Sequence, residues 1–277
     1  MLPDRVTIID VGLRDGLQNE ATAVDTAGKL RLARALIDAG VRELEVTSFV
    51  RPDRVPRMAD AEAVVAGLRH VIFVLAATDA FNERNVGRPV SRSIDDLLAI
   101  CRRGLADGIA VRSAIAVAFG CPFSGPVATR TVLEVTRRCV AAGARAVDIA
   151  DTIGVANPRQ VAGLFSELRR AVPEAELAAH FHDTRGMGLA NVWAAATVGI
   201  DRFDASIAGL GGCPFAPGAT GNIATEDTMH LLEEAGIATG IDRGAIFAAA
   251  DVAEELVGRP SAGRVKKAER AAAARVA

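Results

Sequence analysis

Residues 202–222 read Arg-Phe-Asp-Ala-Ser-Ile-Ala-Gly-Leu-Gly-Gly-Cys-Pro-Phe-Ala-Pro-Gly-Ala-Thr-Gly-Asn. The first seven alternate apolar and polar side chains, the period of a strand. From Gly209 the run holds five glycines and two prolines, which neither helix nor sheet tolerates. An amphipathic helix begins again near Thr225. Strand, loop and helix in that order form one half of a parallel β-α-β unit. The loop carries a single thiol, Cys213, and closes on Asn222. A loop slung between two rigid elements is a place from which a reactive side chain reaches a substrate.

The same unit recurs along the chain. Strands are expected at Val6–Asp10, Glu43–Phe49, Val71–Ala76, Ser113–Phe119, Ala146–Ala150, Leu177–Phe181 and Arg202–Ala208. Helices are expected at about Thr26–Ala39, Ala59–Leu68, Ile94–Ala106, Ala128–Ala141, 158–171, 187–198 and 225–235. Asp15, Glu45, Asp151, His180, His182, Cys213 and Asn222 all fall at or just after the C-terminal ends of strands. In a TIM-type (β/α) barrel those ends form one rim, where active sites are built. An open doubly wound sheet is the competing architecture, but no Gly-x-Gly-x-x-Gly follows a strand. We therefore expect an α/β fold of the barrel type: one catalytic domain over 1–277, with a C-terminal helical extension from about 242.

Composition narrows the functional class. The 277 residues are 50% hydrophobic with a net charge of −2, so nothing favours a nucleic-acid surface. Cys101, Cys121, Cys139 and Cys213 show neither zinc-ribbon nor disulfide-framework spacing. No signal-peptide pattern and no membrane-spanning apolar run is seen, so the expectation is a cytoplasmic protein with reduced thiols.

His180-Phe181-His182 ends a strand, and period-two geometry points both imidazoles to one side, where they can share a cation. Two hydrogen-bonded strand histidines are the plainer alternative. Asp15 and Asn222 would complete a mixed nitrogen and oxygen set that suits Mg²⁺ or Mn²⁺ better than structural zinc. Arg14 stands beside Asp15, where a guanidinium can stabilise an enolate or oxyanion, unless the two form an ordinary surface ion pair. Asp151 and Glu45 are placed to assist proton transfer or to hold Arg14. Either also reads as a core carboxylate satisfied by hydrogen bonds.

Taken together, Val11–Glu20 (Val-Gly-Leu-Arg-Asp-Gly-Leu-Gln-Asn-Glu), Glu45–Val50, Asp151–Gly154, His180–Thr184 and Gly209–Asn222 resemble the motifs of 3-hydroxy-3-methylglutaryl-CoA lyases. The matches run in order from about residue 5 to 245. Related Claisen synthases and ketoacid aldolases share the Arg-Asp and His-x-His pieces but lack the Gly-Gly-Cys-Pro loop. The resemblance implies a divalent-metal-dependent retro-Claisen cleavage of 3-hydroxy-3-methylglutaryl-CoA to acetoacetate and acetyl-CoA, a step of leucine degradation and ketone-body formation. It implies Asp15, His180, His182 and Asn222 as ligands of Mg²⁺ or Mn²⁺. Arg14 would stabilise the enolate and Cys213 would protonate it. His180 and Asp151 would help move the hydroxyl proton, and Glu45 would support the site. Gln18, Thr47, Ser48 and Thr184, with Arg14, would contact the acyl-CoA substrate. Cys121, in a similar Gly-Cys-Pro-Phe setting, reads as structural.

The sequence also departs from the family. Arg185 and Met187 stand where Tyr and Gln are common, and Ala21 replaces a frequent Lys. These raise a second substrate, such as citramalyl-CoA. One β/α unit of about 25 residues, around 59–76, is missing relative to the family, leaving seven strands. That gap motivates a reading of another class, a non-catalytic acyl-CoA-binding barrel. The basic run Arg264, Lys266, Lys267 and Arg270 reads as a solvated terminal helix rather than a site for CoA phosphates. A homodimer is the default expectation; no nucleic-acid or membrane partner is expected.

Overall fold

The computed structural model describes residues 1–50, 53, 55–64, 70–212 and 221–276. The chain divides into two compact units, Met1–Leu2 with Gly67–Asp201, and Pro3–Ala66 with Arg202–Ala277.

The unit containing the N-terminal strand holds β1 (Thr7–Asp10), β2 (Glu43–Leu44) and β7 (Arg202–Ala205). They run parallel in the order β2-β1-β7, with Ile9 opposite both Glu43 and Asp204. Helices α1 (Thr26–Asp38), α2 (Ala61–Val64), α8 (Thr225–Glu234), α9 (Arg243–Val257) and α10 (Val265–Val276) complete the unit. Asp25 rather than Thr26 caps α1, its carboxylate accepting the Gly28 N–H at 2.8 Å. Thr26 instead donates to Asp60 at 2.8 Å. Lys29, on the inner face of α1 and 2% exposed, donates to Asp60 (2.5 Å) and to the Arg57 carbonyl (2.6 Å). A buried ammonium is tolerated only with such partners. This one binds α1 to the segment after the turn Pro56–Met58.

The other unit holds β3 (His70–Ala76), β4 (Ala110–Ala116), β5 (Ala146–Asp151) and β6 (Glu176–Phe181), parallel and paired in the order β6-β5-β4-β3. Around them lie α3 (Asp79–Val86), α4 (Val90–Asp107), α5 (Thr129–Ala141), α6 (Pro158–Ala171) and α7 (Gly188–Thr197). Every residue of β5 is buried, as expected of a parallel strand covered on both faces. Arg112 on β4 and Asp148 on β5 form a buried ion pair at 2.5 Å.

Seven strands are present among the described residues, as the sequence implies, but several boundaries differ. The second strand was expected to reach Phe49 and ends at Leu44. Beyond it Glu45 is drawn to Arg14, and Thr47 turns to the Met58 sulfur at 3.8 Å. The fourth strand is Ala110–Ala116, not Ser113–Phe119, because Val117 adopts a left-handed backbone (φ 55°) that stops the pleat. The last ends at Ala205, where Ile207–Gly209 makes a tight turn with Ala208 at φ 58°. Between β2 and β3 the described residues hold only the Pro56–Met58 turn and the four residues of α2. The β4–β5 and β5–β6 crossovers use helices of 13 and 14 residues. Residues 65–68 of the expected Ala59–Leu68 helix lie outside the described residues.

Candidate active site

At the end of β1, Asp10 accepts the Gly12 N–H at 2.8 Å and the Thr225 hydroxyl at 2.6 Å. Burial pushes its carboxyl up to about 6, against the pull of those hydrogen bonds. The chain then makes a single π-helical turn, Gly12–Gly16, with the Val11 carbonyl accepting from both Arg14 and Gly16. A π turn is often found at functional sites. A side chain at Gly12 would put its Cβ 2.8 Å from Asp10 Oδ1 and 2.9 Å from Ile207, so only glycine fits. This turn sets Arg14 and Asp15 beyond the strand end.

Arg14 Nη1 lies 3.0 Å from Asp15 Oδ1, and its Nε lies 3.3 Å from Glu45. Burial alone would lower the guanidinium's pKa, but Glu45, Asp15 and Asp204 together hold it above its ordinary value. Asp204, in mid-strand on β7, is a member of this cluster that the sequence reading missed. Its only signal there was an acidic residue at a polar position of an alternating strand. Asn222 donates from Nδ2 to Asp15 Oδ2 (2.8 Å) and to the Leu210 carbonyl (3.1 Å). Both amide hydrogens are thereby engaged, and the side-chain oxygen is the atom left to face a cation.

In the other unit, β6 delivers His180 and His182 to one side as the alternation demands. Their Nε2 atoms stand 3.1 Å apart. Two neighbouring positions on an octahedral ion with bonds of about 2.1 Å are roughly 3.0 Å apart. The 3.1 Å contact is a hydrogen bond between the two rings, and its length also matches the spacing of neighbouring ligand positions on a divalent cation. Asp151 closes β5 fully buried, and its two oxygens accept the N–H groups of Val155 and Ala156, each at 2.9 Å. Burial raises its pKa, while those two bonds and the nearby His180 and Arg185 oppose the rise. Arg185 donates to the Ile153 and Gly154 carbonyls at 2.8 and 2.9 Å, bracing the loop after β5.

Among the expected substrate contacts, Gln18 Oε1, Ser48 Oγ and Thr184 Oγ1 are each buried with no hydrogen-bond partner among the described residues. Buried polar atoms without partners are uncommon, and a ligand is one way of satisfying them. Thr47 Oγ1 lies 3.8 Å from the Met58 sulfur. Cys213 lies outside the described residues. Cys121 is buried; burial would raise its thiol pKa, but hydrogen bonds from Ser124, Thr78 and backbone N–H groups bring it below the ordinary value. It closes the tight Cys121–Gly125 loop. In the C-terminal basic run, Lys266 is 3% exposed against Asp251 and Glu254, and Arg270 pairs with Asp251. Among the described residues, no helix is long and apolar enough to cross a membrane.

Comparison with known proteins gives the family of this chain. The family model described as HMGL-like matches residues 5–62 and 54–253, and the chain belongs to that family. The (R)-citramalyl-CoA lyase of Chloroflexus aurantiacus is 39% identical over 96% of this chain and 95% of its own. The hydroxymethylglutaryl-CoA lyase of Pseudomonas mevalonii is 39% identical over 87% of this chain and 89% of its own. The crystal structure of hydroxymethylglutaryl-CoA lyase from Pseudomonas aeruginosa superimposes with a TM-score of 0.93 at 37% identity, covering 98% of this chain and 99% of that one. The fold is therefore that of these lyases. Alignment with the Chloroflexus protein runs over 301 positions, more than the 277 residues here, so this chain lacks residues its relative has. The family model matches in two segments that overlap over 54–62, beside the expected gap.

Proposed function

We propose that this chain is a carbon–carbon lyase performing the divalent-metal-dependent retro-Claisen cleavage of 3-hydroxy-3-methylglutaryl-CoA to acetoacetate and acetyl-CoA. Within the family, the observation that carries the reading is the His180–His182 pair, whose Nε2 atoms are 3.1 Å apart. In this reading Asp15, His180, His182 and Asn222 hold Mg²⁺ or Mn²⁺. When bound, the ion supplies Lewis acidity toward the alcohol and carboxylate oxygens of the substrate.

The chain's own residues do the rest. His180 and Asp151 help take the hydroxyl proton, and the bond between C2 and C3 breaks. Arg14, kept charged and aimed by Glu45 and Asp15, stabilises the enolate of acetyl-CoA. Cys213 returns a proton to its carbon. Gln18, Ser48, Thr47 and Thr184 hold the acyl-CoA. The site belongs to a single catalytic domain with a C-terminal helical extension from about 242, acting in the cytoplasm as a homodimer. Acetoacetate as product places the step in leucine degradation and ketone-body formation.

A second reading, cleavage of citramalyl-CoA to pyruvate and acetyl-CoA, is favoured by the equal identity of the Chloroflexus lyase. Identifying the keto acid released from each thioester decides between them. Acetoacetate formed at least tenfold faster than pyruvate supports the first reading; the reverse order supports the second.

A further inference from the structure

We propose that Arg259, in the connector between α9 and α10, is a positioning residue for the Asp15–Asn222 ligand pair, acting through Glu20. The proposal rests on the metal-dependent reading above, and every contact it uses lies in the unit that carries both ligands.

Glu20 closes the segment that begins with Arg14 and Asp15, and its side chain is 8% exposed. Arg259 grips it with a fork: Nε donates to Oε2 at 3.0 Å, and Nη2 donates to Oε1. The same Oε1 accepts the Gly211 N–H at 3.3 Å. One residue away, Asn19 donates to the Gly212 carbonyl at 3.0 Å. Glu20 and Asn19 thus hold the backbone at 211 and 212. The adjoining Leu210 carbonyl is the acceptor that orients the Asn222 amide toward Asp15.

Tolerances here are small. Gly211 and Gly221 both have left-handed backbones (φ 113° and 94°), and a Cβ on Gly221 would fall 2.2 Å from the Gly211 carbonyl. A Cβ on Gly211 would fall 2.7 Å from Asn222 Nδ2. With the two chain segments in contact, a shift at Gly211 is passed directly to Asn222. The connector holds a second point as well. Ser261 Oγ donates to the Ala208 carbonyl at 3.2 Å, and the Ala262 N–H donates to the same oxygen at 2.9 Å. Without Arg259, Glu20 would be a buried carboxylate lacking its cation, and burying a charge unpaired is costly. It would turn away toward solvent, and Gly211 would lose its anchor.

The test is Mn²⁺ binding to the full-length chain, followed by electron paramagnetic resonance, for Arg259→Ala, Arg259→Lys, Glu20→Gln and the double variant Glu20→Gln/Arg259→Ala. Arg31→Ala, which breaks an exposed ion pair with Glu255, is the control. Residues that orient metal ligands typically change affinity by about 10–100-fold. Arg259→Ala is expected to weaken Mn²⁺ about tenfold, with Arg259→Lys between it and wild type because lysine lacks the fork. The double variant should bind no more weakly than Glu20→Gln alone, as it must if Arg259 acts through Glu20. Wild-type affinity in a folded Arg259→Ala, or losses that multiply in the double variant, overturns the proposal. Should Arg259→Ala fail to fold, wild-type affinity in Arg259→Lys overturns it instead. Wild-type protein that takes no Mn²⁺ overturns the metal reading itself, which the first comparison leaves untouched.

Discussion

Replacing Arg112 by methionine strikes the best-buried ion pair of the unit built on β3 to β6. Arg112 Nη2 lies 2.5 Å from Asp148 Oδ1, and the two side chains are 7% and 2% exposed. With charge centres roughly 4 Å apart and an effective dielectric of about 20, the attraction is ~4 kcal/mol. That attraction mostly offsets the cost of taking both ions out of water, so the intact pair adds little net stability. Removing one partner is different. Asp148 stays buried between two strands without the Arg112 guanidinium, and the expected loss is ~3–5 kcal/mol. Against a typical domain stability of about 5–15 kcal/mol this is severe. Urea unfolding of Arg112→Met should show it as a lowered midpoint at similar slope. The double variant Arg112→Met/Asp148→Leu should recover most of the loss, to within about 1–2 kcal/mol of wild type. A single variant within about 1 kcal/mol of wild type, or a double variant worse than the single, would refute the reasoning.

Three further outcomes follow from the other unit. Gly12→Ala must displace Asp10 or Ile207, costing about 1–3 kcal/mol in thermal unfolding and moving the turn that holds Arg14 and Asp15; unchanged stability would contradict this. Glu226, whose carboxyl is pushed from 4.5 to about 7 by burial with Asp227 adding, binds a proton more tightly folded than unfolded. Its contribution to stability therefore falls as pH rises from about 4.5 to about 7, by up to ~3 kcal/mol, and Glu226→Gln should gain on wild type by that order between pH 5 and 8; parallel stability profiles would contradict it. Arg14→Met should lower kcat by about 10²–10³ with Mn²⁺ still bound, the usual loss for a donor that stabilises a developing anion; a kcat within threefold of wild type would remove Arg14 from that role.

Much of the site was legible because its chemistry is local in sequence. Arg14 and Asp15 follow a short apolar strand. His180 and His182 are two residues apart on another, so period-two geometry alone placed their rings together. The count of seven strands was equally readable, because each apolar run is bounded by glycine or polar residues. Long-range pairing was not readable. Nothing in the sequence ties Glu20 to Arg259, or Arg112 to Asp148, because partner choice depends on register and on the crossing of distant elements. Asp204 read as one polar position of an alternating strand, and only β7 shows it near Arg14. The second strand was overdrawn because Glu-Val-Thr-Ser-Phe has the composition of a strand. Glu45 and Thr47, however, find side-chain partners outside the sheet. Helix α3 was missed because its residues are mostly polar, although Thr78 caps its start by accepting the Phe81 N–H.

The central claim is metal-dependent cleavage completed by Cys213. Its most direct test is the rate of acetyl-CoA release from 3-hydroxy-3-methylglutaryl-CoA by wild type and Cys213→Ala, with Mn²⁺ and then with excess chelator. We expect release by the wild type that chelator abolishes and added Mn²⁺ restores, and that falls by about 10²–10⁴ in the variant, the usual loss of a general acid. Release that survives chelation, or that proceeds unchanged in Cys213→Ala, would contradict the account.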